Sequence, residues 1–311
     1  MVRVRWVGHC RSMSNPTSTQ FRELKMAIAS VIGLDHVVVV VRNLDAAASG
    51  WRKLGFTVSP RGLHSAHMGT ANHTLMFGDD YLELLGVVAP TERNAPMRSL
   101  LEQREGIERI AFTTTEAAAG VAALRMRGLI NAIGPTDFSR PVELADGRTT
   151  EAKFSTFQWP LDERPGGVRL FACQHFTREA VWLPELTQHD NGAHKIDHVE
   201  LLCTDPAAAA RHLSRLVDMP VGADPDGAPR VESGGGRGAF VFVDPALLAA
   251  RHAGVPLAGL SGEGAVALTL RVANLAKCAA GLAGTTAIRG ANSVTVPPSA
   301  AHGVMLVFRE G

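Results

Sequence analysis

The chain has 311 residues, 46% hydrophobic and 20% charged, with 31 basic against 30 acidic side chains and a formal net charge of +1. That is a globular composition with length for two ordinary domains. The balanced charge gives no electrostatic reason to seek nucleic acid or an anionic membrane, and 5% aromatics leaves few stacking platforms for single strands. No apolar run approaches the roughly 18–20 residues of a membrane span. Cys10, Cys173, Cys203 and Cys278 form no CxxC pair, which suits reduced thiols in a cytoplasmic protein.

The first 25 residues carry arginines and serines without an apolar period and lack a signal-peptide core. They read, with the few residues up to position 30, as a poorly ordered extension, and Met26 would also serve as a start. The recognisable pattern begins at GLDHVVVVV, Gly33 to Val41, a buried strand headed by one histidine. A helix follows, capped by Asn43 or Asp45 and stopped at Gly55. ANHTLMF and YLELLGV are then two strands joined by Gly78-Asp79-Asp80. GIERIAFTTTEAAAGVAALRMRGL, from Gly106, repeats strand and helix, with Thr115 as cap and Gly128 at the stop. PTDFSRPVELADGRTTEAK, from Pro135, reads as a hairpin or loop, and VRLFACQHF as a closing strand. HDNGAHK suits a linker. KIDHVELLCTDPAAAARHLSRLVDMPV, from Lys195, repeats the Asp-His-Val opening, with Asp205 as cap and Pro206 at the first helical position. GAVALTLRVANLAKCAAGLAG, from Gly264, is a weaker fourth copy.

The unit is thus β-α-β-β-β, repeated four times. With a histidine on the first strand and a glutamate on the last strand of module one, the chain resembles the vicinal oxygen chelate superfamily, and its glyoxalase-like branch most closely. The resemblance spans about residues 31–310. It implies an α+β fold of four modules paired into two cup-shaped eight-stranded half-barrels. Residues 31–190 would form a glyoxalase-like domain with the active cup, and 195–310 a degenerate second one. The superfamily holds lyases, isomerases, dioxygenases and drug-sequestering proteins, so it is specific for fold and weak for reaction.

In metal-binding relatives the ligands come from the first and last strand of each module. The resemblance therefore puts a divalent metal on His36 and Glu83, with zinc, nickel, manganese, iron and magnesium all compatible with imidazole plus carboxylate. Module two departs from the pattern, with Arg109 and Phe171 at the corresponding positions. Module three has His198 with Phe242, and module four Ala267 and Val307. The second half looks stripped of metal chemistry, and His198 reads as structural.

Strand alternation selects the residues that face the cup. Val38 shares the His36 face, Tyr81 shares the Glu83 face, and Phe171, Cys173 and His175 share another. A three-residue turn at Gly78–Asp80 would pair Phe77 with Tyr81, bring His73 onto the Glu83 face and put Met76 beside Leu82. The expected catalytic residues are Glu83, His73 and Arg109, and the expected substrate contacts are His175, Tyr81, Phe77, Phe171 and Val38. The plainer alternatives are a satisfied core histidine at 36 and a structural Glu83–Arg109 ion pair in place of a metal site. His64 and His67 read as loop histidines near the cup mouth, Cys173 as a buried small residue. The glycine-rich SGGGRG, from Ser233, lacks the Lys-Ser/Thr of a phosphate loop and reads as a turn.

Two function classes follow. One is a small-molecule lyase or isomerase acting on a carbonyl or vicinal-oxygen substrate. The other is a non-catalytic small-molecule binder of the bleomycin-resistance type, favoured by the missing module-two ligands. Such modules pair within a chain or between chains, which leaves a homodimer open.

Overall fold

Residues 28–144 and 147–311 are described by a computed structural model. Residues 1–27 of the proposed N-terminal extension, with Cys10 and Met26, lie outside the described residues; of its last three, Ile28 is buried in the core and the Ser30 carbonyl accepts from the Thr115 amide at 2.8 Å. Module one holds β1 (Val31–Val40), α1 (Leu44–Lys53), β2 (Gly62–Leu63), β3 (Thr70–Met76) and β4 (Tyr81–Val87). A helix that the sequence pattern did not disclose, α2 (Ala95–Gln103), follows. Module two holds β5 (Gly106–Thr114), α3 (Ala117–Met126), β6 (Ile133–Glu143), β7 (Thr149–Gln158) and β8 (Arg169–His175). Module three holds β9 (Ala193–Leu202), α4 (Pro206–Val217), β10 (Val221–Ala223), β11 (Pro229–Glu232) and β12 (Ala239–Val243), followed by a second undisclosed helix, α5 (Pro245–Arg251). Module four holds β13 (Gly264–Val272), α6 (Leu275–Gly281), β14 (Ile288–Arg289), β15 (Val294–Val296) and β16 (Met305–Glu310).

Each pair of modules makes one eight-stranded mixed sheet, in the order β2-β3-β4-β1-β5-β8-β7-β6 and, in the second half, β10-β11-β12-β9-β13-β16-β15-β14. The first strands of the two modules meet antiparallel at the centre, and each pairs in parallel with the last strand of its own module. This is the expected fold of two cupped half-barrels, with α1, α3, α4 and α6 packed on their outer faces.

The caps explain the helix starts. Asn43 accepts from the Ala46 amide at 3.0 Å and Asp205 from the Ala208 amide at 2.9 Å. In α3 the cap is Glu116 rather than Thr115, one residue later than expected. Gly55 takes a φ of 78°, as a helix-stopping glycine does.

One continuous apolar core underlies both sheets. Val37, Val39, Leu82, Leu84, Ile110 and Phe112 on the helix side of the first join Val199, Leu201, Phe240 and Leu268 of the second. Phe112 stacks on Phe240 with centroids 5.7 Å apart. The linker is tied down: the Asn191 amide donates to the Leu54 carbonyl at 2.8 Å. The SGGGRG segment is a turn, as expected, and it packs against β1. The Leu34 amide donates to Ser233 Oγ at 2.9 Å, and an added Cβ at Gly33 would fall 2.4 Å from the Gly234 carbonyl oxygen.

The concave faces differ. In the second half Val241, Val243, Val266, Met305 and Val307 are covered by Leu247 and Leu248 of α5 and by Val255, Leu257 and Leu260. That cup is filled by its own chain. The register also corrects one position: Val241, opposite Glu200, occupies the place that Glu83 takes opposite Val38, and Phe242 points into the helix-side core.

Candidate functional site

The first cup encloses a cavity of about 440 Å³. Its floor begins with an irregularity in β1. Leu34 faces Phe112 and His36 faces Ala111, so β1 advances two residues where β5 advances one. Asp35 is the extra residue of this bulge. Simple alternation would turn it away from His36. The bulge instead sets its carboxylate against the imidazole, with Oδ2 2.6 Å from His36 Nδ1.

Asp35 is wholly buried. It also accepts from His175 Nε2 at 3.0 Å and from Thr113 Oγ1 at 2.6 Å. Burial opposes its charge, but the charge and hydrogen bonds of His175 and His36 outweigh burial and hold the carboxyl well below the usual carboxylate range. Arg237, from the second half, donates to Thr113 Oγ1 at 2.8 Å and to the Leu34 carbonyl at 3.1 Å. The second half thus braces the floor of the first cup.

His36 Nε2 points away from Asp35 towards Glu83 Oε2, 3.6 Å distant. Tyr81 stacks on the imidazole with centroids 4.3 Å apart, and the Phe171 ring meets it edge-on at 5.3 Å. Asn72 Nδ2 donates to Glu83 Oε1 at 2.6 Å. The alternative Glu83–Arg109 ion pair does not form. Arg109 lines the cavity but is bonded to its neighbour Glu108, which also takes Arg169 at 2.8 Å. The Glu108 carboxyl is held low because these two guanidinium groups outweigh burial.

His36, Glu83, Arg109, Tyr81 and Phe171 all line the cavity, with His64 and His67 at its rim. Others depart from expectation. β3 and β4 register Met76 with Tyr81, so the turn has four residues, Phe77 to Asp80, rather than three. His73 therefore pairs with Leu84 and faces the helices, where its Nδ1 lies 2.7 Å from the Ser59 carbonyl oxygen. Phe77 turns into the helix-side core, and Met76 takes the cup side with Tyr81. Asn72 and Thr74 line the cavity where His73 was expected. Val38 lies on the cup face but is sealed by Leu85 and Met97 of α2. His175 shares the face of Phe171 and Cys173, and works behind the floor as a partner of Asp35.

The residues of the expected ion site fit as two ligands. The 3.6 Å between His36 Nε2 and Glu83 Oε2 is close to the spacing of two atoms each about 2.1 Å from one ion. Arg109 and Phe171 offer no donor for the other two positions, so substrate or water would complete the shell. A second grouping that could hold a metal is Asp35, Cys173 and His175, whose donor atoms lie within 4.8 Å of one another. Asp35 is there already engaged by three hydrogen bonds, and burial and the nearby Asp35 and Glu83 carboxylates push the Cys173 thiol well up, towards its neutral form. In the second half Asp197 and His198 repeat the dipeptide at 2.6 Å, yet His198 is buried and engaged by Glu200 and Thr269.

Cupped eight-stranded sheets built from paired β-α-β-β-β modules, with imidazole and carboxylate on neighbouring central strands, define a protein of the vicinal oxygen chelate fold. Residues 34–217 match the glyoxalase-like domain family, and the chain belongs to it. Comparison with curated protein sequences gives no match. Among solved structures the chain is similar to a hypothetical protein from Staphylococcus aureus, at 14% identity and a TM-score of 0.64 over 89% of this chain and 99% of that one. It is also similar to a triple mutant of 4-hydroxymandelate synthase from Streptomyces coelicolor, at 15% identity and 0.53 over 90% and 93%. A variant of homoprotocatechuate 2,3-dioxygenase from B.fuscum aligns at 11% identity and 0.51 over 90% and 71%. At these identities the likeness is one of fold. No helix among the described residues is long and apolar enough to cross a membrane.

Proposed function

We propose that the protein is a glyoxalase-like lyase or isomerase that acts on a small carbonyl or vicinal-oxygen compound in its first cup. The observation that carries this reading is an imidazole aimed by a buried carboxylate at a second carboxylate, His36 Nε2 towards Glu83, on the floor of an open-mouthed cavity. With Nδ1 directed at Asp35, His36 turns Nε2 into the cavity towards Glu83. Glu83 Oε2 takes a proton from the carbon next to the substrate carbonyl, and Asn72 fixes the orientation of that carboxylate. His36 relays the proton from Glu83 to the neighbouring atom. The Arg109 guanidinium, on the same cavity wall, balances charge that develops on the carbonyl oxygen. A divalent ion held by His36 Nε2 and Glu83 Oε2 would supply Lewis-acid polarisation of that oxygen in place of the His36 relay, because it would occupy the relay nitrogen. Residues 31–190 carry the chemistry in this reading, residues 195–310 brace it, and the buried thiols Cys173, Cys203 and Cys278 suit a cytoplasmic setting.

The test is solvent deuterium exchange into a panel of small hydroxy- and oxo-carbonyl compounds, read by NMR, with Glu83→Gln and His36→Ala beside the wild type. Exchange lost in both variants supports the reading. Saturable binding with no exchange into any compound would overturn it in favour of sequestration. The specific ground for that second reading is the replacement of both module-two ligand positions by Arg109 and Phe171.

A further inference from the structure

Five arginines line the cavity, Arg93, Arg109, Arg140, Arg164 and Arg169, against two lining carboxylates, Glu83 and Asp137. Most of these charges are spoken for. Arg109 and Arg169 share Glu108. Arg164 Nε donates to the Leu161 carbonyl at 2.7 Å, and Asp137 accepts from Ser155 at 2.5 Å. Arg93 is exposed at the rim.

Arg140 is different. It lies on the inner face of β6, where alternate residues Thr136, Phe138 and Arg140 turn into the cup. Its guanidinium has no hydrogen-bond or ion-pair partner among the described residues, and burial pulls its pKa below the ordinary arginine value. Arginine stays charged regardless, so a partly desolvated cation faces the cavity with no hydrogen-bonded counterion, and the Glu83 charge acts on it only from a distance. Such a group is costly unless something pairs with it.

Gly62 locates its head. A Cβ built there would fall 2.4 Å from Asn72 Oδ1 and 3.2 Å from Arg140 Nη1. The bare backbone at Gly62 is thus a shared wall for Arg140 and for the amide that orients Glu83. The rings of Phe138, Phe154 and Phe171 supply apolar surface in the same cavity, the first two stacked with centroids 5.0 Å apart.

We infer that the cup takes a small organic monoanion, its carboxylate received by the Arg140 guanidinium at the Asn72–Glu83 end and its apolar body laid against Phe138, Phe154 and Phe171. This rests on the reading of the first cup as the substrate site, and it names the substrate class. A guanidinium matches a carboxylate in bidentate geometry. The neighbouring Glu83 charge disfavours a phosphate dianion at the same place.

The test is calorimetric titration of the full-length protein with a panel of short aryl and alkyl monocarboxylates, the corresponding primary amides and the corresponding phosphate monoesters. Wild type, Arg140→Gln, Arg140→Lys and Glu83→Gln are compared, with circular dichroism to show that each is folded. A carboxylate is expected to bind one per chain, and its amide at least about tenfold more weakly, which is about 1.4 kcal/mol. Arg140→Gln should remove that preference, Arg140→Lys should restore part of it, and Glu83→Gln should leave carboxylate affinity equal or higher. Equal affinity for acid and amide, a phosphate preferred to the carboxylate, unchanged binding in Arg140→Gln, or no member bound by the wild type would each overturn the inference. Failure of the catalytic reading looks different: carboxylates then bind in an Arg140-dependent way with no proton exchange. Exchange into neutral carbonyl compounds, unaffected by Arg140→Gln, would instead leave the catalytic reading standing and remove the anion.

Discussion

Asp35 and His36, adjacent in sequence, face each other across a 2.6 Å hydrogen bond because β1 bulges between them. The carboxylate fixes which imidazole nitrogen looks into the cavity, and its other acceptor capacity is filled by His175 and Thr113. Asp35→Asn must turn an amide NH₂ towards one of these three donors. Exchange activity is expected to fall by roughly 10²–10⁴-fold in kcat with KM changed less, as for loss of a positioned proton-transfer group. Stability should drop by about 1–3 kcal/mol for the donor left unsatisfied. Progress curves with urea unfolding check both. An Asp35→Asn protein with unaltered kcat would show that the orientation of His36 does not matter.

The modular architecture was legible because each copy repeats one local grammar, an apolar strand, an Asx or acidic cap and a small-residue helix, with a left-handed glycine stop in the first two copies and Asp218 in its place in the third. His36 and Glu83 were legible because they interrupt otherwise apolar strands. Asp35 was not, since strict alternation sends it to the opposite face and a bulge leaves no signature in composition. The signal available was the same Asp-His dipeptide at Asp197-His198, whose acid again contacts the ring. His73 and Phe77 were misplaced by a single residue of turn length, which inverts every side chain on β3. Arg140 escaped notice because its strand reads as a polar hairpin, with the fifth to eighth residues alternating in exposure rather than in polarity. The helices α2 and α5 are short and proline-led, and nothing local says that they cover or fill a cup.

Metal affinity follows from the donor count. His36 and Glu83 supply two ligands, while Arg109 places a cation on the same cavity wall. Added zinc or nickel is expected to bind weakly, to raise Tm in the wild type, and to be removed by EDTA without unfolding. The rise should vanish in His36→Ala and Glu83→Ala. Metal analysis of protein purified without chelator, before and after EDTA, with melting curves, checks this. A stoichiometric ion that resists EDTA and is lost in Cys173→Ser would instead place the metal at Asp35, Cys173 and His175.

Asp80 carries the pH response of the seam between the halves. Its carboxyl accepts from the Ile196 amide at 3.1 Å, and burial pushes its pKa from 3.8 up to about 7 against the opposing pull of that hydrogen bond and of Arg237 and Lys195. The folded state therefore holds a proton that the unfolded chain gives up near pH 4. Stability from this group is complete below about pH 4 and is lost as pH rises to about 7. At about 1.4 kcal/mol per pH unit the upper limit is about 4 kcal/mol. Asp80→Asn keeps the acceptor without the charge. It should match the wild type near pH 4 and exceed it in urea midpoint at pH 8; a variant weaker at pH 8 would mean that the ionised carboxylate is the stabilising form.

The second cup retains charge beneath its apolar filling. Glu200 is fully buried and meets His252 Nε2 at 2.9 Å, His198 Nε2 at 3.4 Å and Arg251 Nε at 3.6 Å, while Arg251 reaches Asp224 at 2.5 Å. Burial opposes the Glu200 charge, yet these partners hold its carboxyl well below the usual range. A lowered carboxyl pKa means stability that is present above about pH 4.5 and lost as pH falls. Glu200→Gln removes the buried charge that Arg251, His198 and His252 all face, which costs roughly 3–5 kcal/mol. Chemical unfolding at pH 7 should show that loss, and the gap between wild type and variant should narrow on acidification. Carboxylate binding in the first cup, measured within the folded baseline, should be unchanged, because the residues that reach the Asp35 site from the second half are Ser233 and Arg237, and neither is bonded to Glu200, His252, Arg251 or Asp224. Loss of that binding would mean that the plugged cup communicates with the open one.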